Sequence, residues 1–167
     1  KHPMHSVRST KPVRAVDDIK FLTRDEQRKF LDVAQHSHNY SQYALILETG
    51  LRTGEMIGLT WDAIDFEKRT LTVNKTLEYR HAKQNWRAGP PKTQQSYRTI
   101  PLTDRAYNIL KEIWDDRGNR KESPLLEQTL EYIDRRTGVA SKLVMRDLVF
   151  INQRTGAPAK NSSYDTH

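Results

Sequence analysis

Near residue 70 the spacing of apolar residues changes from helical to alternating, which restricts the chain to folds that combine helices with a sheet. Before the change, Phe30, Leu31 and Ala34 follow the capping-box string Thr23-Arg24-Asp25-Glu26, which predicts a first helix over about 24 to 36. Tyr43, Leu45, Ile46 and Leu47 predict a second, largely apolar helix that stops at Gly50, a residue free to take the left-handed conformation common after a helix. A third, short helix begins at Thr53-Gly54-Glu55-Met56-Ile57-Gly58-Leu59, so Arg52 is confined to a tight bend between two helices. Trp61, Ile64 and Phe66 read as core residues.

After the change, Leu71, Val73 and Thr76 predict one strand and Tyr97-Arg98-Thr99-Ile100-Pro101-Leu102 a second, which gives a small antiparallel sheet. Thr103-Asp104 caps a further helix with Ala106, Ile109, Leu110 and Ile113 on one face and Gly118 at its end. The stretch 119 to 146 has mixed charge and weak periodicity, and reads as a loop or a loosely defined helical insertion. Leu148-Val149-Phe150-Ile151 reads as a short buried strand or chain reversal ahead of the turn Arg154-Thr155-Gly156 and Pro158.

A chain of 167 residues has about the length of one domain. Its 28 lysines and arginines against 21 acids give a net charge of +7, which favours a polyanionic partner, either nucleic acid or an anionic membrane surface. No apolar run approaches the roughly 20 residues of a spanning helix, and the N-terminus lacks the order of a signal peptide. A soluble cytoplasmic protein is the expectation. The absence of cysteine excludes disulfides, thiolate zinc sites and thiol catalysis. His36, His38 and His81 have no acid or cysteine at ligand spacing, so neither a metal site nor a cofactor is expected. Lys1 is not a start residue, and Ser162-Ser163-Tyr164-Asp165-Thr166-His167 reads as the first turn of an unfinished helix, so the chain reads as a piece of something longer.

The basic residues fall in two places. Residues 1 to 20 carry Lys1, Arg8, Lys11 and Arg14 before the first acid, Asp17, with Pro3 and Pro12, and read as an extended basic linker suited to a phosphate backbone; a solvated tail accounts for them equally well. Arg80, Lys83, Arg87, Lys92 and Arg98 occur with no acid from Tyr79 to Thr103 and are interleaved with Tyr79, Trp86 and Tyr97, a combination that suits a nucleic-acid contact. A merely solvated basic hairpin is the plain alternative.

Arg52 meets the first need of phosphodiester chemistry, a cation for the nonbridging oxygens, because its planar fork holds two oxygens and never loses its charge. From spacing alone an arginine near a helix end is more often a surface or ion-pair residue. The longer string Gly50 to Leu59, followed by Trp61 and Ile64-Asp65, resembles the first catalytic box of the tyrosine recombinases. Lys92-Thr93 and Arg98-Thr99-Ile100-Pro101-Leu102 resemble that family's catalytic hairpin. The similarity covers most of residues 15 to 115, resumes at 148 to 166, and runs toward integrases of conjugative transposons carrying tetracycline or vancomycin resistance.

The resemblance implies an α+β, mainly helical catalytic domain with a small antiparallel sheet: residues 21 to 167 form its N-terminal part, 1 to 20 link it to a core-binding domain upstream, and its C-terminal part lies outside this chain. It implies that Arg52 binds the scissile phosphate, that Lys92 protonates the departing 5′ oxygen with Lys83 as the fallback, and that Glu55 either fixes the guanidinium or helps to organise the site; the plain alternative is that Glu55 only favours the positive start of its own helix. The DNA-binding set is then Lys11, Arg14, Arg80, Lys83, Trp86, Arg87 and Arg98. It also implies double-stranded DNA as partner, a tetramer of protomers, an excision factor and a bacterial cytoplasm. The family's second box, a His-x-x-Arg followed by a further His or Trp and then the tyrosine nucleophile, has no match after Arg52, and Tyr164 precedes the place where it would begin. The chain by itself is therefore not expected to cut DNA. Two readings follow: part of a site-specific recombinase that breaks and rejoins strands through a 3′-phosphotyrosyl link, or a truncated, inactive recombinase that competes for DNA sites. A type IB topoisomerase shares the chemistry, but the transposon-like similarity argues against it.

Overall fold

The capping box at Thr23 forms as the sequence predicts. Thr23 N–H donates to Glu26 Oε2 at 2.7 Å and Glu26 N–H donates to Thr23 Oγ1 at 3.3 Å, so two donors left over at the helix start find partners. The computed structural model describes residues 21–91, 93–119, 128–133, 139–152 and 156–158. Its helices are α1 (Arg24–Ala34), α2 (Tyr40–Thr49), the five-residue α3 (Thr53–Ile57) and α4 (Asp104–Asp116). Leu31, Ala44 and Ile109 tie α1, α2 and α4 together. No helix among the described residues is long and apolar enough to cross a membrane.

The strands are β1 (Ile64–Asp65), β2 (Thr70–Val73), β3 (Thr76–Arg80), β4 (Asn85–Gly89), β5 (Arg98–Pro101), β6 (Gln128–Ile133) and β7 (Ala140–Met145). They make two sheets. β1, β2 and β5 pair antiparallel in that order, with Leu71 opposite Ile100 and Val73 opposite Arg98. The other sheet has the order β3-β4-β6-β7, antiparallel except for the parallel pair of β4 and β6. The fold is α+β.

Two local expectations are corrected. The alternation of Leu71, Val73 and Thr76 does not belong to one strand, because the chain leaves the first sheet at Asn74-Lys75 and enters the second at Thr76. The stretch 119 to 146 is neither a loop nor helical over its described part, since it contains β6 and β7. Thr129, Tyr132, Ile133 and Val144 favour strands, but the adjacent apolar residues Tyr132-Ile133 and Leu143-Val144-Met145 and the adjacent polar pair Ser141-Lys142 blur the alternation that would announce them. β6 pairs with β7 at six positions and, at Glu131 and Tyr132, with Arg87 and Ala88 of β4, a long-range pairing that no local pattern displays.

The core is continuous across both sheets. Leu45, Met56, Ile57, Leu71, Leu77, Leu110 and Val149 are its largest fully buried side chains. Trp61 meets the Trp114 ring edge-on at 5.0 Å between centroids and stacks near Phe66, as expected of core residues. Leu148 to Ile151 are buried, and Val149 N–H donates to the Leu59 carbonyl at 2.9 Å, so this segment closes over the loop that follows α3.

What fixes α3 is its close approach to β3. An added Cβ at Gly58 would lie 3.0 Å from the Leu77 backbone nitrogen and 3.1 Å from the Thr76 carbonyl carbon; one at Gly54 would lie 3.2 Å from the Leu77 oxygen. Both neighbours are strand backbone, which cannot yield without disturbing the ladder. Gly58→Ala is therefore expected to destabilise the protein by about 1–3 kcal/mol. Gly118→Ala, whose Cβ would meet nothing within 4 Å, should change stability by no more than about 0.5 kcal/mol. Urea denaturation of the two variants beside the parent checks the contrast.

Candidate functional site

Arg52 stands in the bend between α2 and α3. Gly50 ends α2 at φ 64°, its N–H donating to the Ile46 carbonyl at 2.8 Å, and buried Leu51 pins the next residue. Arg52 is the N-cap residue of α3, with extended backbone, and its side chain is 68% exposed. Serine or threonine usually fills such a position and accepts a hydrogen bond, which arginine, a donor only, cannot do. The other half of a capping box is present, because the Arg52 N–H donates to Glu55 Oε2 at 3.0 Å.

Glu55 is the hinge of the site. Its side chain is only 2% exposed, yet each carboxylate oxygen has two donors. Oε1 accepts from Arg52 Nη1 at 3.0 Å and Arg98 Nη1 at 3.2 Å, and Oε2 accepts from the Arg52 backbone at 3.0 Å and Arg98 Nη2 at 2.9 Å. Burial pushes the Glu55 carboxyl up, but hydrogen bonds from Arg98 and from the Arg52 backbone and side chain, with the charge of Arg98, hold it below the usual carboxylate range. Two guanidiniums share one carboxylate, leaving an excess of positive charge beside solvent.

That charge faces a groove of about 460 Å³ lined by Gly50, Arg52, Thr93, Gln95, Ser96 and Arg98. Thr93 and Ser96 share a hydroxyl hydrogen bond of 2.9 Å across a short helical turn, and Ser96 is buried. The groove thus joins two chain segments, the bend at 50–55 and the turn at 93–98. A groove with cationic and hydroxyl donors suits an oxyanion such as a phosphodiester. Among the described residues, no group of three or more His, Asp or Glu is placed to hold a metal ion.

Of the residues singled out in the sequence, Arg52, Glu55 and Arg98 come together here, whereas Lys92, Lys11 and Arg14 lie outside the described residues. The other four stand on the β3–β4 hairpin. Arg80 Nε donates to Asn85 Oδ1 at 3.0 Å, Lys83 is exposed in the turn, and Trp86 meets Tyr79 edge-on at 5.1 Å. Arg87 forms an ion pair with Glu78 across the register. The acid-free stretch from Tyr79 to Thr103 begins one residue after that partner, so the run overstates the hairpin's uncompensated charge. Thr93 entered the sequence reading only as part of the string Lys92-Thr93, and Gln95 and Ser96 were not singled out, for isolated hydroxyls and amides carry no pattern.

The depressed Glu55 carboxyl has a consequence for stability. A group whose folded value lies below its unfolded one contributes stability above the unfolded value, about 4.3 for glutamate, and loses that contribution as pH falls through the folded value. Acid titration followed by circular dichroism should show the parent losing stability over that window. Glu55→Gln, less stable at neutral pH, should lack this part of the acid dependence; equal slopes in the two proteins would contradict the assignment.

Comparison with known proteins supplies the family. Residues 20–166 match the model of the phage integrase family. The transposase from transposon Tn916 of Enterococcus faecalis is 33% identical over 104 residues, which cover 60% of this chain and 25% of the transposase. A XerC-like tyrosine recombinase of Caldanaerobacter subterraneus subsp. tengcongensis is 34% identical over 102 residues, 57% of this chain and 26% of that protein. The chain thus spans about a quarter of these relatives. Among solved structures, the Tn1549 transposon integrase in complex with circular intermediate DNA superposes with a TM-score of 0.62 at 27% identity, covering 88% of this chain and 44% of that one. The XerA recombinase, at 16% identity and a TM-score of 0.57, shares the fold. With the family model matching nearly its whole length, and the Arg52 bend and Arg98 strand arranged around one groove, the chain belongs to the phage integrase family of tyrosine recombinases.

Proposed function

We propose that this chain is the front part of the catalytic domain of a site-specific recombinase that integrates and excises a mobile element. The observation that carries the reading is the exposed Arg52 guanidinium held from behind by a buried carboxylate at the mouth of a polar groove. The DNA-bound integrase and the transposases among its relatives supply the substrate class, double-stranded DNA.

In this reading Arg52 binds the nonbridging oxygens of the scissile phosphate and neutralises the charge that grows as the phosphorus is attacked. Fixing the guanidinium beforehand means that little reorganisation remains when the phosphate arrives. Lys92 donates a proton to the departing 5′ oxygen, so the strand leaves as a neutral hydroxyl. A tyrosine supplied from outside the first box takes the phosphate as a 3′ ester, and the reverse reaction reseals the strand without an external energy source. The linker residues Lys11 and Arg14, with Arg80, Lys83, Trp86 and Arg87 of the hairpin, hold the duplex through its backbone. Assembly as a tetramer on DNA, and help from an excision factor, belong to the same reading.

Two outcomes test it in the full-length recombinase. Arg52→Ala should lower covalent trapping on a nicked suicide substrate by roughly 100-fold or more while site binding stays within a few fold. Normal trapping would remove Arg52 from the phosphate. Lys92→Ala should be inactive on ordinary DNA but recover on a substrate with a 5′-bridging sulfur, whose leaving group needs no proton. Without recovery, the proton donor is Lys83 or another group.

A further inference from the structure

Arg98 and Arg52 share Glu55 but are used differently. A guanidinium has five N–H donors, four of them on the terminal nitrogens. In Arg98 all four are engaged: Nη1 donates to Glu55 Oε1 at 3.2 Å and to the Ser96 carbonyl at 3.1 Å, and Nη2 donates to Glu55 Oε2 at 2.9 Å and to the Gly50 carbonyl at 3.3 Å. Its side chain is 30% exposed. Arg52, more than twice as exposed, spends one terminal nitrogen on Glu55 and has no other side-chain partner among the described residues.

We propose that Arg98 is a positioning residue for the phosphate grip, which locks the Glu55 carboxylate beneath Arg52 and joins the α2–α3 bend to the Thr93–Ser96 turn, and that it does not itself bind DNA. The proposal rests on Arg52 being the phosphate-binding group. For a phosphate to engage the terminal nitrogens of Arg98, whose hydrogen bonds leave only Nε–H uncommitted among the described residues, it would have to displace the buried carboxylate or a backbone carbonyl. Remove Arg98, by contrast, and Glu55 keeps only the donors of Arg52. A buried carboxylate short of partners either rotates toward solvent or takes up a proton, and both change where Arg52 points.

The placement of Arg98 fits this use. It opens β5 and lies opposite Val73 in the ladder, so its backbone is held by the sheet and its side chain leaves from a fixed base. From there one planar fork reaches Gly50, Glu55 and Ser96, three points on two segments. Lysine carries the same charge but concentrates its donors on a single nitrogen, which cannot reach both carboxylate oxygens and both carbonyls with this geometry.

The test compares Arg98→Lys, Arg98→Gln and Arg52→Ala in the full-length recombinase, measuring site binding across a salt series and single-turnover covalent trapping on a nicked suicide substrate. Trapping yields an amplitude, which counts competent molecules, and a rate constant, which reports the site within them. Both Arg98 variants are expected to keep the parent's slope of log affinity against log salt and to trap with a rate constant roughly 10- to 100-fold lower. A slope reduced by about one in Arg98→Gln would mean a lost phosphate contact and would overturn the proposal. So would a parental rate constant in either Arg98 variant, including the case in which only the amplitude falls, which marks a purely structural residue. Parental trapping by Arg52→Ala would instead sink the reading of Arg52, a result separate from any outcome at Arg98.

Discussion

A carboxylate taken out of water must find donors for both oxygens, and Glu55 finds four on two arginines. Burying such a charge costs several kcal/mol unless pairing is nearly complete, and losing one partner of a buried pair is more damaging than never having had the pair. That asymmetry makes Glu55 a stringent organiser. It tolerates one arrangement of the bend at 50–55 and of the strand beginning at 98, the arrangement in which every lone pair is used. Because two cations meet one anion, the satisfied state is also a positively charged one, with its more exposed cation facing the groove. Stability and anion attraction come from the same three side chains.

The support beneath this cluster is steric rather than electrostatic. Gly54 and Gly58 let α3 rest on the backbone of β3, and β3 continues outward into the hairpin with β4. The Arg52 bend and the hairpin that carries Arg80, Lys83, Trp86 and Arg87 therefore share one base. A duplex held by the hairpin would meet the groove at a fixed offset, since packed backbones transmit position better than side chains do.

Much of this was legible in the sequence where the cause is local. The Thr23 capping box, the stop at Gly50, the start at Thr53 and the cap at Thr103 each rest on residues within one turn of one another, and each forms as read. Arg52 and Glu55, three residues apart, were legible for the same reason. The partnership of Arg98 with Glu55 was not, since nothing in a basic strand residue announces a carboxylate 43 positions earlier. Neither was the place of β6 and β7 beside β4, nor the Arg87–Glu78 pair, which appears only once the register of the hairpin is known. Local chemistry reads forward along the chain, while charge pairing across a sheet becomes readable only after the sheet exists.

The Glu55–Arg98 contact spans 43 positions, against the three between Arg52 and Glu55. Arg52 and Glu55 meet within the short helix between α2 and β1, but the other two donors to the carboxylate come from Arg98, which follows β2 and the β3–β4 hairpin in the chain. Closing a loop of that length costs conformational entropy that only later contacts repay. Without β5 in place, Glu55 would keep only the two donors of Arg52. The two segments that line the groove are therefore joined through Glu55 only once β5 has docked beside β2.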